Sequence, residues 1–262
     1  MTEKRPTVLV VGASGSIGRL VVEEALRRGL ATRALIRDES KAAGIPDAAE
    51  TVIGDLTRAD TLQRAVAGID GVVFTHGAHE GGSAAMEAVD YGAVKNVLAA
   101  LGDRPARISL MTLIGITNRD GGWNRANEAL DWKRRSERLV RASGRPYTIV
   151  RPGWFDRNES DEHRIVLLQG DRPRAEDASD GVIAREQIAE ALVDGLTSDA
   201  ADHKTFDLVA ERGAAQTDRD ALYAALDADP AGALDGVHDP QNMPLDAEPQ
   251  RVLADLDAVR PA

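Results

Sequence analysis

The stretch Thr7-Val-Leu-Val-Val-Gly12-Ala-Ser-Gly15-Ser-Ile-Gly18-Arg-Leu-Val-Val22 decides the fold. Its first five residues form an aliphatic, β-branched run, the pattern of a strand buried on both faces. From residue 16 to 28, Ile17, Leu20, Val21, Ala25 and Leu26 share one helical face. Three glycines join the two patterns. Gly12 permits a sharp turn, Gly15 admits a pyrophosphate close to the backbone, and Gly18 lets the helix pack on the strand. The free N–H groups and positive dipole end of the helix then face the anion. Ser14, Ser16 and Ile17 complete the cradle. Glycines also mark ordinary turns, but here strand, loop and helix stand in the required order for dinucleotide binding.

Outward from this unit the alternation continues. Strands are expected at 32–36, 50–53, 71–75, 107–114 and 147–150, with helices at 61–67 and 124–143. Met86, Val89, Ala93, Val97, Leu98 and Leu101 mark a longer helix between them. Repeated strand-helix units imply an α/β, doubly wound parallel sheet of the Rossmann type. Beyond Arg151 the pattern shortens to a strand at 165–168, a helix at 185–196 and a last strand at 205–209. This reads as a small C-terminal substrate-side portion, about 151–226, integrated into a domain spanning 1–226. Residues 227–262 are rich in Asp, Pro, Gly and Ala. They are expected to form a surface extension, partly disordered or carrying a short helix near 250–259.

Composition narrows the partners. The 262 residues carry a net charge of −11 and no long basic run, which argues against a nucleic-acid partner. With no Cys, disulfides, thiolate nucleophiles and Cys-ligated metals are excluded. No apolar stretch approaches the ~20 residues of a membrane span, and the first apolar run is too short for a signal-peptide core. A cytoplasmic protein with a small-molecule substrate is expected. Aromatics make up only 3%, so aliphatic side chains and Ala must fill the core.

Arg37 ends the second strand, nineteen positions after Gly18. An acid there suits the ribose hydroxyls of NAD, whereas an Arg suits the 2′-phosphate of NADP. With Ser40 and Lys41 following, NADP is the expected cofactor; the plainer alternative is a solvated loop residue.

The chain resembles the short-chain dehydrogenase/reductase superfamily, and more closely its atypical, NmrA-like NAD(P)H-binding branch. The resemblance runs from about residue 7 to about 210. It is carried by the glycine loop, Leu35-Ile-Arg37-Asp, Gly54-Asp55-Leu56, Lys133 with Glu137, Tyr147-Thr-Ile-Val-Arg-Pro-Gly-Trp154 and Ile183-Ala-Arg-Glu-Gln-Ile-Ala189. It implies that Asp55 and Leu56 lie beside the adenine, and that Thr75, His76 and Gly77 lie near a cofactor ribose. It places Thr112 at the family's active-site Ser and Lys133 at the Lys that holds the nicotinamide ribose. Pro152, Gly153 and Trp154 would then lie near the nicotinamide.

The sequence also departs from the family. The usual catalytic Tyr position is Ala129, which cannot donate a proton, and the relay Asn is replaced by Asp90. Tyr91 and Lys95 have the Tyr-x-x-x-Lys spacing, but they precede the fifth strand, and that spacing is common on helices. Catalytic candidates are Thr112, to orient an acceptor oxygen, Lys133, to supply positive charge, and His76, as a proton donor. The plainer readings are a satisfied strand-end hydroxyl for Thr112, an ion pair with Glu137 for Lys133 and cleft lining for His76. His76 and His79 lack a third ligand at a convincing spacing, so no metal is expected. Trp154 either caps the nicotinamide or substrate, or anchors the C-terminal part.

The leading expectation is an NADP(H)-dependent oxidoreductase that moves hydride to or from a small carbonyl, quinone or similar acceptor. The alternatives are a non-catalytic NADP(H) sensor and an NAD-dependent epimerase or dehydratase. Helices carrying Val97 and Val140 offer a face for a homodimer.

Overall fold

The computed structural model describes residues 5–78 and 80–261, so His79 lies outside the described residues. The elements in chain order are β1 (Thr7–Val11), α1 (Ser16–Arg27), β2 (Ala31–Ile36), β3 (Glu50–Ile53) and β4 (Gly71–Phe74). Then come α2 (Gly82–Ala85), a π-helical segment Met86–Tyr91, α3 (Gly92–Leu101) and β5 (Arg107–Met111). Next are α4 (Gly122–Asn127), α5 (Ala129–Ala142), β6 (Tyr147–Pro152), β7 (Trp154–Phe155) and β8 (Arg164–Leu168). The chain continues with β9 (Val182–Ile183), α6 (Arg185–Thr197), β10 (Lys204–Glu211), α7 (Asp220–Ala224) and α8 (Gln250–Val259).

The sheet runs β3-β2-β1-β4-β5-β6-β10-β9-β7, parallel from β3 through β10, with β8 and β9 antiparallel to β10. Alternate side chains divide between two dry layers. Leu9, Val11, Phe74, Ile108 and Leu110 join the residues of α3 and α5, whereas Val8, Val10 and Val73 join those of α1 and α6. The strand order reverses between β1 and β4, opening the crevice above their C-terminal ends.

Three expected helices differ from the reading of the sequence. At 61–67 there is only a 3-10 turn, Ala59–Leu62, followed by turns up to Gly68 at φ +67°. So short a segment cannot offset the cost of nucleating an α-helix. The long helix near Met86 carries a π-helical turn in its middle. The helix expected over 124–143 breaks at Glu128, which takes φ +54°. Asn124 supports the break by accepting from the Asp131 N–H at 3.0 Å and donating to the Arg119 carbonyl.

The expected surface extension is partly core. Val252 and Leu256 of α8 are buried on the α3 and α5 layer, and Val97 and Val140 are fully buried. The face expected to suit a homodimer thus meets this chain's own C-terminal helix. Tyr91 and Lys95 also belong to this joint: the Tyr91 hydroxyl donates to Asp255 at 2.9 Å, and Lys95 pairs with the same carboxylate at 3.4 Å. Burial, and then the Asp255 carboxylate, push the Tyr91 phenol well above its ordinary range.

Four arginines of α5 anchor the C-terminal segment. Arg134 and Arg138 bond Asp235 at 2.9 and 2.8 Å, Arg135 bonds Glu248 at 2.7 Å, and Arg141 bonds Asp229 at 3.0 Å. Arg151 of β6 joins Glu137 and Asp239, both at 2.7 Å. Burial alone would raise the Glu137 carboxyl, but the Arg151 and Arg141 guanidiniums hold it down at about 2. Asp207, on β10 opposite Arg151, finds no hydrogen-bond partner among the described residues. Burial pushes its carboxyl well above the ordinary range, and nearby Asp171, Asp239 and Glu137 add to that rise against the opposing pull of Arg151.

Candidate functional site

The glycine loop has the geometry that the sequence implied. Gly12 has φ +85°, and a Cβ there would lie 2.8 Å from the His76 backbone nitrogen. A Cβ on Gly18 would strike the Gly12 carbonyl. The Gly15 N–H donates to the Gly12 carbonyl at 2.9 Å, closing the turn. Helix α1 then begins at Ser16 with no side-chain cap and no acid in its first turn. Ser14 is half-buried, Gly15 and Ser16 are exposed, and Ile17 is buried beneath them. Uncapped N–H groups beside exposed glycine backbone form a cradle that fits a pyrophosphate.

Arg37 is exposed at the end of β2, and no carboxylate among the described residues lies within ion-pair distance of it. Asp38 turns instead to Ser40, accepting from both its N–H and its hydroxyl. Lys41 is also exposed. The sequence reading passed over Arg19, which follows Gly18 and is likewise exposed without an acidic partner among the described residues. Its guanidinium lies where a Cβ on Gly44 would sit 2.8 Å away, placing it against the loop that follows Arg37. A cation in the first turn of a helix opposes the dipole. That mismatch was the available signal that this end awaits an anion.

At the end of β3, the Asp55 carboxylate accepts from the Thr57 N–H at 2.9 Å and hydroxyl at 2.8 Å, and these bonds lower its pKa. Asp55 therefore shapes the turn at the expected adenine end. Leu56 is half-buried there, and Asn96 of α3 holds its carbonyl at 2.8 Å, a support the sequence reading missed.

Beyond β4, the Thr75 hydroxyl donates to the Val11 carbonyl at 2.9 Å, tying this loop to the glycine loop. Gly77 follows, and a Cβ there would stand 3.6 Å from both Lys133 Nζ and Asp90 Oδ1. Those two atoms are 2.8 Å apart, and Asp90 Oδ1 also accepts from the Ala78 N–H at 3.1 Å. Lys133 thus pairs with Asp90 and not with Glu137, its i+4 neighbour. The substituted residue Asp90 fixes both the ammonium and the loop beside it. Asp90 Oδ2 and His76 Nδ1 are buried without partners among the described residues.

Two residues expected to be catalytic face partners inside the protein. His76 is buried, and burial lowers its imidazole to about 4, with the Lys133 ammonium adding to the effect. The ring is therefore neutral at pH 7, and Nε2 lies 3.2 Å from the Asp90 carbonyl oxygen, which can only accept. That contact suits a proton on Nε2. Thr112 is also buried, and its hydroxyl donates to Glu137 Oε1 at 2.7 Å. Its proton is directed into the arginine-held cluster around Glu137. Ala129 is buried at the head of α5, four residues before Lys133, so no phenol stands beside the ammonium.

The far wall follows β6. The Ile114 N–H reaches the Pro152 carbonyl at 3.1 Å, Gly153 packs on the Gly181 carbonyl, and Trp154 is half-buried. Trp154 lies 5.6 Å, centroid to centroid, from Trp123 on α4, a contact the sequence reading did not anticipate. Among the described residues, no group of three or more His, Cys, Asp or Glu side chains is placed to hold a metal ion. No helix among them is long and apolar enough to cross a membrane.

Comparison with known proteins agrees with this geometry. The profile of a family described as NAD(P)H-binding matches residues 12–199. An uncharacterised chloroplastic protein of Arabidopsis thaliana is 31% identical over 78% of this chain and 70% of its own length. Sanguinarine reductase of Eschscholzia californica is 28% identical over 86% of this chain and 97% of its own. In fold, the chain is similar to an anaerobilin reductase of Escherichia coli, with a TM-score of 0.60, 20% identity, and coverage of 78% of this chain and 96% of that one. The chain belongs to the family described as NAD(P)H-binding.

Proposed function

We propose that the chain is an NADP(H)-dependent oxidoreductase that moves hydride between the nicotinamide and a small carbonyl, quinone or similar acceptor. The observation that carries this reading is Lys133, whose ammonium is held at 2.8 Å by Asp90 beside Gly77. That position suits the nicotinamide ribose and places positive charge where reduction develops negative charge on an acceptor oxygen. The glycine loop and the open start of α1 would hold the pyrophosphate. Asp55 and Leu56 would frame the adenine, while Pro152, Gly153 and Trp154 would line the nicotinamide end.

Preference for NADP over NAD rests on Arg37, with Lys41 and Arg19 beside it. Exposed guanidiniums lacking carboxylate partners suit a 2′-phosphate, with its paired acceptor oxygens. The bound cofactor would supply the hydride. With Ala at 129, His76 Nε2 facing the Asp90 carbonyl and the Thr112 hydroxyl donating to Glu137, water would supply the proton that completes reduction of a carbonyl or quinone. In this scheme His76 and Thr112 are positioning residues: the first supports Asp90, and the second supports Glu137. A cytoplasmic location belongs to the same proposal.

Ala129 also favours a second reading, a non-catalytic NADP(H) sensor. Absorbance assays of NADPH consumption against quinones, aldehydes and ketones separate the two. Turnover that falls in Lys133→Met supports the oxidoreductase; firm NADPH binding without consumption across the panel supports the sensor.

A further inference from the structure

The chain has nine aromatic residues: three Trp, three Tyr and three Phe. Six of them, Phe74, Tyr91, Trp132, Tyr147, Phe206 and Tyr223, are buried. The remaining three lie beyond β6 or on α4: Trp123 is 52% exposed and meets the half-buried Trp154, and Phe155, the next residue of β7, is 41% exposed. A chain that sends its other aromatics into the core brings Trp123 and Trp154 together at the surface. Exposed apolar clusters of this kind mark binding sites.

The cluster is fixed by design of the backbone. Both tryptophans are pinned by the same short segment, residues 176–181. Glu176 accepts from the Gly122 N–H at 2.9 Å at the start of α4, and a Cβ on Gly121 would collide with its carboxylate. The Trp154 N–H donates to the Gly181 carbonyl at 2.9 Å. Side chains at Gly153 or Gly181 would close that approach, since a Cβ on Gly153 would meet the Gly181 carbonyl and one on Gly181 would meet the Val209 side chain. The Arg185 guanidinium stacks 4.9 Å from the Phe155 ring and pairs with Asp156, bracing the outer edge. The indole rings meet at 59°, and Trp123 keeps about half of its surface exposed. Trp132 Nε1 is bonded to Ser83, whereas neither Trp123 nor Trp154 has a hydrogen-bond partner for its indole N–H among the described residues.

We propose that Trp123 and Trp154 form the acceptor platform of the cleft, and that the acceptor is a planar, fused-ring aromatic molecule. This rests on the reading of the crevice as a nicotinamide site. Open indole faces stack on planar π-systems, and a free indole N–H donates to a ring carbonyl or ring nitrogen. A small aliphatic carbonyl would use neither feature. The platform continues the strand that carries Pro152 and Gly153, so a stacked ring would face the nicotinamide end of the crevice.

The test is calorimetric titration of the NADP⁺-loaded full chain with lumiflavin and menadione as planar probes and cyclohexanone as an aliphatic control. Both planar probes should bind saturably and cyclohexanone should not. Trp123→Ala should weaken lumiflavin about tenfold, with Trp123→Phe recovering most of the loss and NADP⁺ affinity unchanged in both. Unchanged lumiflavin affinity in Trp123→Ala, or equal binding of cyclohexanone, with NADP⁺ binding intact, overturns this proposal alone. No NADP⁺ binding to the wild-type chain overturns the cofactor reading and this proposal with it. Self-association lost in Trp123→Ala, without lumiflavin binding, assigns the patch to a second copy and overturns it too.

Discussion

Helix α5 serves two charged regions of opposite character. Towards the C-terminal segment, Arg134, Arg135, Arg138 and Arg141 are buried and each meets a carboxylate, Asp235, Glu248 or Asp229. Towards the crevice, Lys133 has one partner, Asp90, whose second oxygen is unused. Arg37 and Arg19 stand exposed, and no carboxylate among the described residues lies within ion-pair distance of either. Buried charge must be paired, because desolvation costs several kcal/mol per ion. Where pairing is complete, charge fixes structure; where it is left incomplete, charge is available to a ligand. Asp207 is the exception inside the joint: it has no hydrogen-bond partner among the described residues, and burial pushes its carboxyl well above the ordinary range.

The largest expected effect breaks the saturated side. Glu137→Gln leaves Arg141 and Arg151 without their shared carboxylate, and should cost about 3–5 kcal/mol in a urea titration. A loss below about 1 kcal/mol would mean that the joint is not held by its charges. Acid should act in the same direction. Glu137, with its pKa held at about 2, contributes stability that is present above its unfolded value and is lost as pH falls towards 2.

His76 gives a second test, at milder pH. Its folded pKa of about 4 lies below the ordinary 6.5, so the unfolded chain takes up the proton first. Stability should fall as pH drops from 6.5 to 4, by on the order of 2–3 kcal/mol. His76→Gln should flatten that part of the profile, and an unchanged slope would show that the ring is not held neutral.

The unsaturated side should respond more in function than in folding. Lys133→Met should lower kcat/KM for NADPH about 100-fold, with a loss of stability smaller than that of Glu137→Gln, since Lys133 is partly exposed and the Ala78 N–H still holds Asp90. A drop in stability comparable to that of Glu137→Gln would place Lys133 on the structural side of the comparison. The smallest effect is expected at Arg37. Arg37→Ala should weaken NADPH about tenfold and leave NADH unchanged, measured as paired dissociation constants. Equal losses for both cofactors would remove the 2′-phosphate assignment.

Much of this was legible in the sequence, for physical reasons. Valine-rich strands and Gly12, Gly15 and Gly18 carry their conformations locally, so the parallel core and cofactor cradle could be read from spacing. The break at Glu128 could not, because it depends on Asn124 bonding across the turn to Asp131 and Arg119. The buried C-terminal segment was equally hidden. Its Asp-rich composition reads as solvated until it is known that four arginines of one helix face it. The surroundings of His76 and Thr112 could not be read, because a proton's destination depends on tertiary partners, Asp90 and Glu137, that lie far away in sequence. The pairing of Trp123 with Trp154 joins residues from different loops and had no periodic signal.

The account stands most directly on NADPH consumption, followed by absorbance with menadione as acceptor in the wild-type chain and in Lys133→Met. It predicts one NADPH oxidised per menadione reduced, with the rate falling about 100-fold in the variant while the fold is kept. Firm NADPH binding with no consumption by the wild-type chain, against menadione or any aldehyde or ketone tried, would contradict it and leave a sensor in its place.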